Sequence, residues 1–438
     1  MFGPIVSVQF RCLSFAASTA VAASLVAPLS AQADQKPITY QQILAAPDDS
    51  KLNLTYARQE VASGRLEQAA AALERLLLAR PNWDSVRLFY GFVLYRLDDM
   101  IGAKREFEVL EGRGLSPSQE ASRVKYLALA TQKGKPLRFS GRLSIGGRYD
   151  SNPGRVSDVV AAANVASEDE DYAVSASGSL RVEADLKNGR GDLLFFQANG
   201  LMRDYFKVGR ADFGATRARI GAKLHGHKVS FSPYVEYGTR HLQGEQLREN
   251  AGGGLDVALT LSSQVALLIR GQARYEDYQI TSYSTIGSRR DGWRYSANGR
   301  LRWRPSDSLI LSAGATYRSK DARDGGFSYD AGSFKVSARK LLGMGRYVSV
   351  SATASRIEFD RPDNFYSNTI TRKDDRLRLR AVAGAPLSTL FPETGLPSQI
   401  ADIVAQVGAT YDNQNSTINR LDIDNFSVDL IFTKRFSF

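Results

Sequence analysis

Arg376, Arg378 and Arg380 alternate with Leu377 and Leu379, so an extended chain carries three guanidinium groups on one face and two apolar side chains on the other. Arg300 and Arg302 repeat the pattern with Arg294 and Arg304, and Arg142 and Arg181 sit at equivalent polar positions. Glu183, Asp185, Glu236, Asp256 and Glu276 supply acidic counterparts on the same polar faces. Such rows serve either as a cross-strand charge network or as the lining of a path for a substrate. The remaining chemistry is sparse. His225, His227 and His241 are the only histidines. His225 and His227 flank Gly226 in a predicted turn, and no nearby acidic residue in the sequence completes a metal site, so solvated turn histidines are expected and no metal is assigned. A Gly-x-Ser-x-Gly elbow or a phosphate-binding glycine loop is missing from any usable context. Gly252, Gly253 and Gly254 fall within an alternating segment, where glycine relieves crowding or permits a bend. A phospholipase would need a serine and histidine together on a lipid-facing rim, and no convincing pair occurs. The expectation is a protein that is not an enzyme and has no cofactor.

The elements that carry these residues are read from periodicity. The run Leu13 to Leu29 is apolar, follows Arg11 and ends in Ala31-Gln32-Ala33, which reads as a signal peptide over 1–33. The single cysteine, Cys12, precedes the apolar run, so the mature chain would hold no cysteine and form no disulfide, thiolate metal site or thiol nucleophile. No other stretch reaches the ~18 apolar residues of a spanning helix. A formal charge of +11 raises the question of nucleic acid. Export and the placement of arginines on polar strand faces instead favour a charged lumen and contacts with anionic lipid head groups, and no nucleic-acid partner is expected.

Residues 34–136 show helical spacing with two segments repeating at an interval of 34: Ala57 with Gly91, Ala69 with Ala103, Leu73 with Phe107 and Leu76 with Leu110. Small and large residues at those places suit close antiparallel helices; Gly64 and Asp98 fall at turns and Pro81 ends a helix. This pattern resembles the tetratricopeptide repeat, in two copies over roughly 50–117, with 118–131 as a capping helix. The resemblance implies a concave groove lined by Arg58, Phe92, Tyr95 and Arg96, although Phe92 and Tyr95 serve equally well as core residues.

From Leu137 to Phe438 about fourteen segments alternate apolar and polar residues with period two. An even number of such strands, with no helical segment to cover their apolar faces, predicts an antiparallel transmembrane β-barrel of about fourteen strands over 137–438. In the first strand Leu137, Phe139, Leu143, Ile145 and Tyr149 point to lipid, and Arg138, Ser140, Arg142, Ser144, Arg148 and Asp150 to the lumen. Later strands are expected near 229–241, 250–261, 400–412 and 424–438, among others. Tight connections alternate with longer ones, which puts the short turns in the periplasm and the long loops outside. The segment 385–398, with two prolines, breaks the rule as either a periplasmic docking loop or a miscounted strand pair. Phe139 and Tyr149, Trp293 and Trp303, and Phe426 and Phe436 are each ten residues apart on one face. Ten residues rise ~34 Å, or ~26 Å of height at a ~40° tilt, close to the ~25 Å apolar band, so each pair marks both membrane interfaces. Phe438 on the lipid face resembles the C-terminal aromatic signal read by the barrel-assembly machinery.

A signal peptide, a short repeat domain and about fourteen strands, with Tyr149-Asp150-Ser151-Asn152-Pro153 and the terminal Arg435-Phe436-Ser437-Phe438, resemble the surface lipoprotein assembly modifier (Slam) family. The resemblance implies a protein of the bacterial outer membrane with its N-terminal domain in the periplasm. It implies movement of a surface lipoprotein or secreted cargo protein, among outer-membrane lipid and lipopolysaccharide. The short repeat domain leaves cargo recruitment open. An exopolysaccharide export porin is the alternative, though two repeats are few for it, and a passive porin with an interaction module is a third.

Overall fold

A computed structural model describes residues 37–438 except 47, 98, 156–169, 189, 227 and 283–286. The expected signal peptide, Asp98 and His227 lie outside the described residues. The chain divides between Arg123 and Val124 into two compact units.

The first unit is helical: α1 Tyr40–Ala45, α2 Ser50–Ala62, α3 Leu66–Ala79, α4 Asp84–Arg96 and α5 Met100–Val109, followed by α6 Pro117–Lys133, which crosses the division. The starts of α2 and α4, and of α3 and α5, are each 34 residues apart, as the sequence interval requires. Asp49 caps α2 by accepting from the amides of Lys51 and Leu52, and Asp99 caps α5 by accepting from that of Gly102, satisfying donors that a helix start leaves free. Ala57, Ala69, Leu73, Leu76, Gly91, Ala103, Phe107 and Leu110 are all buried. Gly91 shows why a small residue recurs: a Cβ there would lie 2.7 Å from the Phe107 ring. Arg123 ties the first turns of α6 to α5 through the Phe107 carbonyl, at 3.3 Å.

The second unit is a closed antiparallel barrel of fourteen strands. The first seven are β1 Leu137–Asp150, β2 Asp171–Asp185, β3 Leu193–Tyr205, β4 Phe213–His225, β5 Val229–Leu242, β6 Glu245–Thr260 and β7 Val265–Tyr278. They continue as β8 Gly292–Ser306, β9 Leu309–Ala322, β10 Tyr329–Gly343, β11 Arg346–Phe359, β12 Lys373–Pro386, β13 Val404–Ser416 and β14 Ile423–Ser437. Each strand pairs with its sequence neighbours, and β1 pairs with β14 to close the sheet. Closure leaves no open edge, the condition for strands to cross a bilayer.

Exposure is inverted relative to a soluble core. Ile145, Ile220 and Val235 are 60%, 61% and 64% exposed, whereas Asp150, Glu276 and Ser427 inside are at most 1% exposed. The outer surface therefore matches lipid and the inner wall holds the polar groups. Tyr149 and Tyr172 pack at 5.4 Å, and Trp293 packs against Tyr275 at 5.7 Å, near the end with the longer loops. At that end Tyr237, Tyr317 and Tyr411 donate hydroxyl hydrogen bonds to Glu249, Asp330 and Asp424 on neighbouring strands, which marks the polar edge of the band. At the opposite end Phe139 stacks on Phe438 with centroids 5.5 Å apart.

Two boundaries need correction. β5 and β6 extend beyond the expected 229–241 and 250–261, leaving the two-residue turn Gln243-Gly244 at the long-loop end, with φ of +51° and +82° as a tight hairpin requires. The last strands begin and end differently from 400–412 and 424–438, because Ser398–Ala401 is a helical turn and β13 starts at Val404. The segment after β12 hides no strand pair. It holds two one-turn helices, Leu387–Leu390 and Ser398–Ala401. Thr389 Oγ1 donates to the Met344 carbonyl at 2.8 Å and Lys434 Nζ to that of Gln399 at 2.7 Å, so the segment is tied to the rim on both sides.

Candidate functional site

The luminal wall follows from register. Because side chains alternate, fixing one cross-strand pair fixes which residues meet inside. Arg138 stands opposite Glu183, Arg219 opposite Glu236, Arg270 opposite Asp256 and Arg378 opposite Asp412. Across the paired strands, inward-facing Lys and Arg outnumber inward-facing Asp and Glu by more than two to one. The wall is thus a charge network with a cationic surplus.

Three carboxylates are its hubs. Glu276 on β7 receives Arg248 at 2.8 Å, Arg274 at 3.1 Å, Arg294 at 3.2 Å and Lys320 at 3.2 Å. Gly252 on β6 makes room for Arg274 opposite it, since a Cβ there would meet the Ala273 carbonyl at 2.2 Å and then Arg274 itself. Asp412 on β13 takes Arg376 and Arg378, plus Arg155 from the loop after β1 at 3.1 Å. Asp429 on β14 accepts two bonds from Arg380, at 2.7 and 2.9 Å, and lies 3.6 Å from Arg148.

The expected luminal residues fall into two groups. Arg376, Arg378 and Arg380 converge on Asp412 and Asp429, and Arg181 bonds Glu183 at 2.8 Å and Gln197 at 3.2 Å. Arg142, Arg300 and Arg302 have no ion pair among the described residues. Lys320 and Asp412 are luminal partners that the sequence pattern does not single out, whereas Asp150 lies inside as the alternation of the first strand predicts. Asp429 falls on the polar face of the last strand, between the apolar Phe426, Val428 and Leu430. Asp412 closed the expected strand 400–412, where alternation ceased to be informative.

The motif Tyr149-Asp150-Ser151-Asn152-Pro153 has a mechanical role at the β1–β14 seam. Asp150 accepts from Arg148 Nε at 2.5 Å, from the Tyr205 hydroxyl at 2.6 Å and from Asn425 Nδ2 at 3.0 Å. The Asn152 amide donates to Asn425 Oδ1 at 2.9 Å, and the Phe426 amide donates to Ser151 Oγ at 2.9 Å. At the other end of the seam, the Phe139 and Phe438 backbones exchange two hydrogen bonds of 3.0 Å.

In the helical unit Arg58 and Arg96 are exposed, Phe92 and Tyr95 half-buried, and the Arg96 guanidinium lies 6.0 Å from the Phe92 ring. Asp192 does lie beside His225, accepting from its amide at 2.6 Å with its carboxylate 3.8 Å from Nδ1. No group of three or more metal-ligating side chains occurs among the described residues.

The family model described as surface lipoprotein assembly modifier matches residues 142–382, all of them between the first and twelfth strands of the barrel. The chain belongs to the surface lipoprotein assembly modifier family. It is an outer-membrane protein, and membership together with the barrel assigns it a role in surface lipoprotein assembly. The match does not extend to the helices, so the tetratricopeptide reading of α2–α5 rests on their own geometry. No curated protein matches. Among solved structures the chain is similar to the outer membrane protein OprD from Pseudomonas aeruginosa, at 9% identity and a TM-score of 0.35, over 69% of this chain and 94% of that one. It is also similar to a loop-deleted OmpT of Vibrio cholerae, at 11% identity and a TM-score of 0.37, over 68% of this chain and 99% of that one.

Proposed function

We propose that this chain is a non-enzymatic translocator that moves a lipoprotein, or another protein cargo, across the outer membrane. The observation that carries the reading is the family match, which falls wholly on the barrel while a separate helical unit precedes it. Strand closure uses only hydrogen bonds between strands, so the barrel does not need the helices to form. The helices are then available for recruitment in the periplasm, where paired hairpins of tetratricopeptide type present a concave groove; Arg58, Phe92, Tyr95 and Arg96 are its candidate lining. The barrel-assembly machinery would read Phe438, and outer-membrane lipid and lipopolysaccharide would surround the apolar band.

The test is to co-express a neighbouring lipoprotein with either the intact chain or one lacking 34–135 and to measure its digestion by external protease. Display with the intact chain and none with the truncated but inserted barrel is expected. Equal display with both would remove the recruiting role. No display even with the intact chain would favour the polysaccharide or porin readings.

A further inference from the structure

Between β7, β8 and β9 the luminal wall opens into a recess of about 270 Å³ lined by Arg270, Arg274, Arg294 and Arg318, with Ser296 and Thr316 among its polar neighbours and no carboxylate in the lining. Their places are set by register: Arg274 stands opposite Arg294, and Ser296, two residues along β8, stands opposite Arg318. Arg294 and Arg318 are therefore diagonal neighbours, roughly 7–8 Å apart at the backbone, a spacing that lets two long side chains hold one small group between them.

The four arginines differ in how they are balanced. Arg270 is held by Asp256 through two bonds of 2.5 and 2.6 Å. Arg274 and Arg294 share Glu276 with Arg248 and Lys320, four cations on one carboxylate. Arg318 has no ion pair among the described residues, and its Nε is buried without a hydrogen-bond partner. Arg318 is half-buried, but its Nε is a donor shut off from water with no acceptor in the wall, and an unpaired buried donor is costly. A planar guanidinium beside a second one, with hydroxyls nearby, matches the oxygens of a phosphate or carboxylate.

We propose that this recess is an oxyanion-binding site, in which Arg318 and Arg294 together take a phosphate or carboxylate group presented in the lumen. The site stands on the barrel wall alone and holds whether or not cargo passes through it. The oxyanion has two possible sources: free inorganic phosphate, or the acidic side chains of a polypeptide in the lumen.

The full chain in zwitterionic detergent and dilute chloride is titrated by calorimetry with inorganic phosphate and, separately, with a hexaglutamate peptide. Wild type is compared with Arg318→Gln and with Arg300→Gln, a luminal arginine outside the recess lining, and heat-modifiable migration checks that each barrel is closed. Binding by wild type is expected, weakened about tenfold or more in Arg318→Gln and unchanged in Arg300→Gln. Tighter binding of the peptide identifies polypeptide carboxylates as the ligand, and tighter binding of phosphate identifies the free anion. Should Arg318→Gln fail to fold, Arg318→Lys keeps the charge but loses the fork and still weakens binding. The proposal is overturned if neither ligand binds wild type below about 10 mM. Binding by the Arg318 variants as tight as that of wild type, or an equal loss in Arg300→Gln, overturns it too.

Discussion

Replacing Glu276 with Gln removes one negative charge from among Arg248, Arg274, Arg294 and Lys320, all within 3.2 Å of it, while keeping the side chain's shape. Glu276 is 1% exposed, so water cannot take over the lost interactions. Taking one partner from a buried ion pair costs roughly 3–5 kcal/mol, because the remaining charge is left unbalanced. Glu236 lies 3.6 Å from Arg274 and compensates one of the four, which places the expected loss at the lower end, about 3 kcal/mol. Glu183 is the internal comparison: its side chain is 24% exposed, and Arg181 contacts it at 2.8 Å. Glu183→Gln should cost under about 1 kcal/mol. Urea unfolding of the purified barrels, scored by heat-modifiable migration, measures both. Raising the salt to about 1 M, where the Debye length falls to ~3 Å, should narrow the gap between Glu276→Gln and wild type by easing repulsion among the cations. A Glu276→Gln barrel within about 0.5 kcal/mol of wild type, or no weaker than Glu183→Gln, would refute the view that the surplus of luminal cations depends on a few carboxylate hubs.

Two further outcomes are expected. Deleting Phe438 removes the two backbone hydrogen bonds to Phe139 and the ring stack upon it, contacts worth roughly 4–6 kcal/mol per bond in an apolar medium and ~1 kcal/mol for the rings. Outer-membrane levels of the heat-modifiable form should fall, and unchanged levels would count against a role in closure. In the helical unit, the hydrogen bonds from Arg65 to Glu60 hold that carboxyl below the usual glutamate range, against the effect of burial. The folded value is thus lower than the unfolded one, so the stabilisation is complete above about pH 4.3 and is lost as pH falls further through the folded value. Helical ellipticity of the full chain should show an acid transition that flattens in Glu60→Gln, and an identical pH profile in the variant would show that this pair is not responsible.

Much of the fold was legible because its two periods are local. Alternation from Leu137 onwards follows directly from strands with lipid on one side and polar groups on the other. The 34-residue interval follows from two hairpins with a common packing rule, in which Gly91 faces Phe107. Where lipid ends, the signal ends. Glu245, Gln246, Arg248 and Glu249 extend β6 beyond the apolar band, and with no apolar face to satisfy they read as a loop. Ile400, Ile403 and Val404 blur the boundary in the opposite way, since an apolar run passes from a helical turn into β13. The site was legible only as a set of inward charges. Which cation meets which carboxylate depends on register around the closed ring. Lys320 reaches Glu276 from 44 residues away and Arg155 reaches Asp412 from 257, distances that no local pattern encodes.

The seam between β1 and β14 bears on how a cargo would cross. Its eleven residue pairs run from Ser140 with Ser437 to Asp150 with Ser427, and both ends are secured, by Phe139 with Phe438 and by Asp150 and Asn152 with Asn425. Opening it within the bilayer would break about ten backbone hydrogen bonds at roughly 4–6 kcal/mol each, with no water to replace them. Several cations of the inner wall, by contrast, are long side chains without an ion pair among the described residues, Arg142, Arg300, Arg302 and Arg318 among them. Moving such a side chain costs rotamer freedom and re-pairing, a few kcal/mol at most, and an acidic group entering the lumen supplies the new partner. On the translocator proposal, the energetics favour a route along the wall over one through the seam, and a disulfide engineered across β1 and β14 should leave display of the cargo intact.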